Sequence, residues 1–367
     1  MRRVSFFSYT DAPSALRQEW VQSIAQVIDS GRFVGGELVL EFEKSWAEML
    51  GVNFAVGVGN GLDGLVLALR ALGVGPGNLV AVPSHTFIAT WNAVKLVGAT
   101  PVGVDVNQRG LIDLEKLEGL SNITCVIPVH MHGAMVDMAR LNLWARKAKV
   151  KVVEDASQSH LAKCDLGYSG TLSDVGVFSL YPTKNLGALG DAGIITTSNE
   201  TIAASIRSNA NYGASQGDKY LHNSFGVNSR LDSIQAAALL INLKYLESWT
   251  KHRIMLAEIY LNNIKENDKV KFLHHEAGSS VWHHFPVICS QRTELSAYLL
   301  QHGITTEIHY PNLAAREYET ITGETQENYP VGEFLADSIL SLPISQWHDV
   351  DEIEYVAHVV NAFCDQG

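Results

Sequence analysis

The sequence predicts an α/β protein: a large domain with a mostly parallel sheet between helices, followed by a smaller α+β domain. Three observations carry that expectation. From Phe54 to Thr197 short β-rich runs alternate with apolar stretches of helical period, the pattern of parallel strands covered on both faces. After Thr197 the alternation stops, and a long helical stretch from Asp232 leads into a section where strands and helices mix. The chain has 367 residues, 46% hydrophobic and 18% charged, enough for a sizeable core and a second domain. The large domain is placed at 1–248 and the small one at 249–367, with the N-terminal helix able to pack on the small domain.

Leu16, Trp20, Ile24, Val27 and Ile28 fall at helical spacing, so 14–29 is an amphipathic helix ending at Ser30-Gly31. After the loop Arg32-Phe33-Val34-Gly35-Gly36, a second such helix carries Val39, Phe42, Trp46 and Met49-Leu50. Strands are expected at 54–58, 79–83, 100–106, 125–129, 150–153, 175–179 and 194–197, with helices at 62–72, 87–97 and from the Asp137 cap to about Lys147. The polar stretch Arg207 to Asn228 reads as a long loop, and loops of that length usually carry function. The helix from Asp232 to Ile264 is expected to break or bend near Trp249. Strands at 281–288 and 305–309 and helices at 294–301, 333–339 and 351–363 complete the small domain.

The charge balance excludes some classes of partner. Net charge is -12 with no basic run, which argues against nucleic acid and anionic membranes. No apolar run is long enough to span a bilayer, the N-terminus lacks an apolar leader, and the four scattered cysteines read as reduced packing thiols, so a cytoplasmic protein is expected. His130-Met131-His132 lacks a third ligand at a recognisable spacing, and no metal is expected.

Gly59-Asn60-Gly61-Leu62-Asp63-Gly64 matches G-x-G-x-x-G between a strand and a helix, the setting of a dinucleotide site. That site also needs a carboxylate about 20 residues on, and the second strand ends Val82-Pro83-Ser84-His85 without one. A nicotinamide oxidoreductase is therefore the distant alternative. What remains is a helix start at which the N–H groups of Gly61 and Leu62 can hold one phosphate. Phe178 to Gly193 supplies a second feature: Lys184 follows a strand in a segment of glycines and small residues, where desolvation can lower its pKa for nucleophilic chemistry. The alternative there is a surface lysine in a turn.

A phosphate turn and a reactive lysine on one sheet make pyridoxal phosphate the cofactor to test. Its aldehyde needs Lys184, and its pyridine nitrogen needs a buried carboxylate, for which Asp155 ends a strand. A helix cap is the alternative for Asp155. Phe87 can stack on the ring or belong to the core, and Ser179 can add a hydroxyl to the phosphate.

Asp155-Ala156-Ser157-Gln158, then Phe178-Ser179-Leu180-Tyr181-Pro182-Thr183-Lys184-Asn185-Leu186-Gly187, then Asn228-Ser229-Arg230-Leu231-Asp232 with Gln235-Ala236-Ala237 resemble the DegT/DnrJ/EryC1/StrS sugar aminotransferase family. The resemblance implies the type I PLP-dependent aminotransferase fold and a homodimer with shared active sites. It implies Lys184 as the lysine that binds the cofactor and moves the proton, Asp155 at the pyridine nitrogen, Gln158 near the ring hydroxyl or face, and Phe87 stacked on the ring. Gly61, Leu62 and Ser179 would hold the phosphate, with Asn228 contributed by the partner subunit. The family often has Thr where this chain has Leu62, so phosphate binding leans on backbone N–H groups. Relatives that dehydrate have His at the position of Lys184, so Lys184 favours amination over a dehydratase or a non-catalytic regulator.

Asn60-Gly61-Leu62-Asp63 with Pro83-Ser84-His85-Thr86-Phe87 resembles the branch acting at C-3 of dTDP-3-keto-6-deoxyhexoses. The resemblance then implies amino transfer from L-glutamate to such a sugar, through pyridoxamine 5'-phosphate, in deoxyaminosugar and surface-polysaccharide biosynthesis. In that branch Tyr181 and His309-Tyr310 meet the hexose, and Pro311 forces an extended exit that can point the pair into a cleft. Arg230 and Lys219 are candidates for the diphosphate, and Arg32-Phe33 a weaker one. The near alternative is a C-4 aminotransferase on a UDP- or dTDP-4-keto sugar.

Overall fold

A computed structural model describes residues 2–215, 218–274, 276, 278, 280–325 and 327–366, with Lys219 described by its backbone alone. Helices α1 (Ser14–Ser30) and α2 (Glu37–Leu50) each end on a glycine in the left-handed region, Gly31 and Gly51, where a Cβ would be costly. α1 lies against a later helix: Leu16 and Trp20 pack with Ala238 and Ile241, with Trp347 at the edge of the same cluster, and Trp20 Nε1 donates to Asn242 Oδ1 at 2.8 Å. The segment ahead of α1 reaches the C-terminal core instead, where Val4 is fully buried.

The central layer begins with β1 (Phe54–Val58), α3 (Gly61–Ala71), β2 (Leu79–Pro83), α4 (Ala89–Leu96) and β3 (Thr100–Val104). It continues through α5 (Leu114–Glu118), β4 (Cys125–Val126), α6 (Met138–Ala148) and β5 (Lys151–Asp155). A small hairpin of β6 (Lys163–Cys164) and β7 (Gly167–Tyr168) precedes β8 (Val175–Ser179) and β9 (Gly193–Thr197). Seven strands form one sheet in the order β1-β9-β8-β5-β4-β2-β3. β9 runs against both neighbours, while the remaining neighbours pair in parallel. Their burial is nearly complete, as expected of strands covered on both faces.

The stretch Arg207 to Asn228 is not one loop. Its start completes α7 (Glu200–Asn209), and β10 (Ala214–Ser215) pairs with β11 (Asp218–His222). Helix α8 (Ser233–Asn263) then runs unbroken past Trp249. The polar run around Trp249 marks a change of neighbours: earlier residues such as Leu239 and Leu246 join the core under the sheet, and Leu256 and Tyr260 join the C-terminal core.

That second core is built on β12 (Val270–Phe272), β13 (Phe285–Cys289), α9 (Arg292–Gln301), β14 (Ile339–Leu342) and α12 (Val350–Cys364), whereas α10 (Ala314–Thr322) packs into the core of the large sheet and Leu335 of α11 (Pro330–Ser338) packs with Val106, Leu273 and Ile339. Its antiparallel sheet has the order β12-β13-β14. The expected strand at 305–309 is extended chain held by isolated bridges, Val4 to Ile304 and Glu307 to Ser341. The third strand is β14, which continues directly from α11. Buried Asp105 ties this part to the large sheet by accepting from the N–H groups of Val331 (3.2 Å) and Gly332 (2.9 Å) at the start of α11 and from Lys116 Nζ (2.9 Å). No helix among the described residues is long and apolar enough to cross a membrane.

Candidate active site

The carboxyl ends of parallel strands are where a sheet of this kind binds ligands. β1, β2, β5 and β8 all send their following segments to one cavity of about 500 Å³. Gly61, Leu62, Phe87, Asp155, Gln158, Ser179, Tyr181, Lys184, His309 and Tyr310 all line it, while Asn228, Arg230 and the Arg32-Phe33 loop do not. Asn228 and Arg230 are exposed outside it; the Arg230 guanidinium donates to Asn211 Oδ1 at 3.1 Å and lies over the Tyr212 ring. The side chain of Lys219 lies outside the described residues.

α3 opens the cavity floor. Asn60 caps the helix, its side-chain oxygen accepting from Asp63 N at 2.8 Å, so Asp63 belongs to the first helical turn. The N–H groups of Gly61 and Leu62, in the first turn, have no acceptor within the helix, and both residues line the cavity. A Cβ at Gly61 would lie 2.9 Å from Ser179 Cβ and 3.5 Å from Ser157 Oγ, so glycine lets the helix start close against β8.

Asp155 ends β5 and is buried. Its Oδ2 accepts from Thr90 Oγ1 at 3.0 Å and its Oδ1 from Ser157 N at 3.2 Å. Lys184 is half-buried in the turn after β8, its own N–H bonded to Tyr181 O. Burial lowers its pKa to about 8, against the opposing pull of Asp155. Such an amine is neutral far more often near neutral pH than a surface lysine.

The wall opposite belongs to the C-terminal part. Gln158 accepts from His132 N at 2.7 Å and donates to Tyr310 Oη at 3.1 Å. Tyr310 N donates to His85 Nε2 at 3.2 Å, and Phe87 lies against the Tyr310 ring with centroids 5.4 Å apart. Phe87 is 54% exposed and Tyr181 51%, so both have surface to offer a ligand. His309 stacks on His284 at 3.6 Å and shares a hydrogen bond with Ser341 Oγ at 3.0 Å. Burial and then Lys184 push His309 down to about 3, and burial likewise lowers His132, His283 and His284, so this wall is made of neutral imidazoles. His130 is occupied by Glu154 at 3.0 Å. Thr90 and His284 were not singled out from sequence, because a Thr or His in a buried run carries no local signature, and His132 was weighed there only as a metal ligand.

These residues fit pyridoxal phosphate. A lysine of lowered pKa, a buried carboxylate and a glycine-opened helix start line one cavity, and together they match an aldehyde, a pyridine nitrogen and a phosphate.

Comparison with known proteins agrees. The model of the DegT/DnrJ/EryC1/StrS aminotransferase family matches residues 14–361. The dTDP-3-amino-3,4,6-trideoxy-alpha-D-glucose transaminase of Streptomyces venezuelae is 40% identical over 93% of this chain and 91% of its own. The dTDP-3-amino-3,6-dideoxy-alpha-D-galactopyranose transaminase of Aneurinibacillus thermoaerophilus is 38% identical over 95% and 96%. The crystal structure of S. venezuelae DesV in complex with a ketimine intermediate superposes with a TM-score of 0.95 at 37% identity, covering 100% of both chains. The chain has the fold of these PLP-dependent sugar aminotransferases, and it belongs to the DegT/DnrJ/EryC1/StrS aminotransferase family.

Proposed function

We propose that this aminotransferase moves the amino group of L-glutamate to C-3 of a dTDP-3-keto-6-deoxyhexose, giving a dTDP-3-amino-3,6-dideoxyhexose and 2-oxoglutarate. Pyridoxal phosphate supplies the electron sink and carries the amino group between the two substrates. Lys184 binds the cofactor aldehyde and, at a pKa of about 8, exchanges protons readily near neutral pH. Asp155 keeps the ring nitrogen protonated. Gly61 and Leu62 hold the phosphate through their N–H groups, with the Ser179 hydroxyl beside them. Gln158 orients the ring and Phe87 covers its face.

The observation that carries the amine chemistry is the half-buried Lys184 in the same cavity as Asp155. The sugar assignment is supported by the two similar transaminases, both named for dTDP-3-amino sugars. The cavity mouth suits a hexose, since Tyr181, His309 and Tyr310 offer aromatic surface and neutral hydrogen-bonding groups. The proposal includes a homodimer in which Asn228 and Arg230, neither of which lines its own chain's cavity, and Lys219 serve the partner's phosphate and diphosphate.

Product regiochemistry tests the assignment. The protein is incubated with PLP, L-glutamate and a dTDP-3-keto-6-deoxyhexose, and the sugar product is read by NMR. Nitrogen at C-3 is the expected result. Turnover only of a 4-keto sugar, UDP- or dTDP-linked, would replace the reading with C-4 transfer.

A further inference from the structure

Thr90 occupies the second position of α4, buried among Trp91, Ala93 and Val94 on a helix that is otherwise apolar on its inner side. Packing alone would be served by valine, which has the same shape without a buried hydroxyl. The hydroxyl instead meets Asp155 Oδ2 at 3.0 Å. An ionised carboxylate only accepts, so Thr90 is the donor, and its lone pair is open to the Thr86 hydroxyl at 3.4 Å. Among the described residues this is the one side-chain hydrogen bond to the Asp155 carboxylate; the other oxygen takes the Ser157 backbone N–H.

The charges around Asp155 leave that bond a clear role. Lys184 is the cation that acts on it, and the Tyr310 phenol is held neutral, its pKa raised by burial and by Asp155 itself. The neighbouring Glu154 is engaged elsewhere, accepting from His130, the N–H groups of Gly170 and Leu172, and Ser173 Oγ. Thr90 N also donates to Phe87 O at 3.2 Å, so one tight turn carries both the aromatic expected over the cofactor ring and the brace on the carboxylate.

We infer that Thr90 is a positioning residue for Asp155: its hydroxyl stabilises the ionised carboxylate, so that the proton shared with the cofactor stays on the ring nitrogen. The inference rests on the reading that Asp155 faces that nitrogen. Removing the donor leaves Asp155 Oδ2 without its side-chain hydrogen bond, and the proton shared with the cofactor is held less firmly on the ring nitrogen.

The experiment loads the protein with PLP labelled with 15N in the ring and reads the nitrogen resonance at neutral pH in wild type, Thr90→Val, Thr90→Ser and Asp155→Asn. Thr90→Val should move the resonance toward the unprotonated position and lower kcat roughly ten- to a hundredfold, the range for one hydrogen bond to a charged group, with KM little changed. Thr90→Ser keeps the hydroxyl and should keep the wild-type resonance. If Thr90→Val does not fold, Thr90→Ala removes the same donor and is read instead. An unmoved resonance in the hydroxyl-free variant, beside a moved one in Asp155→Asn, overturns the role of Thr90 alone. An unmoved resonance in Asp155→Asn overturns the placement of Asp155, and the inference with it.

Discussion

Gly61 opens α3 and Ser179 ends β8, and a Cβ on the first would lie 2.9 Å from the Cβ of the second. The contact joins the helix start that can bind phosphate to the strand whose next turn carries Lys184. Gly61→Ala must therefore separate α3 from β8 or displace Ser179. The expected cost is about 1–3 kcal/mol, as for other small-to-large changes at close contacts. Because the displaced groups line the cavity, PLP should dissociate at least tenfold more readily, measured by fluorescence titration. Unchanged affinity and unchanged melting would show that the close approach does not shape the site.

Lys184 has a pKa lowered to about 8 by burial, which outweighs the opposing effect of Asp155. A lowered lysine pKa means that the neutral, nucleophilic amine accumulates as pH rises through about 8, where an ordinary lysine would need about 10.4. The rate at which the apoprotein captures PLP should rise up to that pH and then level off. Stopped-flow absorbance across pH 6–10 reads it. A rate still climbing at about pH 10, where ordinary lysines titrate, would contradict the lowered pKa, and Lys184→Ala should show no covalent capture at any pH.

Asp105 ties α11 to the large sheet through the N–H groups of Val331 and Gly332. Burial by itself would raise its pKa, but Lys116 and the N–H groups of Gly332, Val331 and Val106 together hold it below the ordinary carboxylate value. Its contribution to stability is thus fully present above the ordinary carboxylate pKa and is lost as pH falls through the lowered one. Asp105→Asn should reduce Tm at pH 7, with the difference from wild type shrinking as pH falls below about 4. Equal melting at pH 7 would show that this tie adds nothing.

The central sheet was legible because its strands are buried on both faces and separated by glycine-rich turns, which leaves a coarse but strong pattern. Candidate site residues that line the cavity could be named from sequence where chemistry demands a residue type, as for Lys184 and Asp155. The C-terminal part was harder. β14 follows α11 without a break, so Ile339 continues the apparent helical spacing, and α10 buries only Ala314, Ala315 and Tyr318. α8 looked broken at Trp249 because its buried face turns from one core to another, while Trp249 packs between Tyr245 and Trp347. Thr90 was silent in the sequence, since its meaning comes from a carboxylate 65 residues away.

The central claim is amino transfer through Lys184 from glutamate, and one spectrum tests it most directly. The purified protein is loaded with PLP, its visible absorption is recorded, and L-glutamate is added without any sugar. The account predicts that the band of lysine-bound PLP is replaced by that of pyridoxamine phosphate, with 2-oxoglutarate released in equal amount, and that Lys184→Ala shows neither the first band nor the release. A wild-type band that persists in saturating L-glutamate would contradict the account.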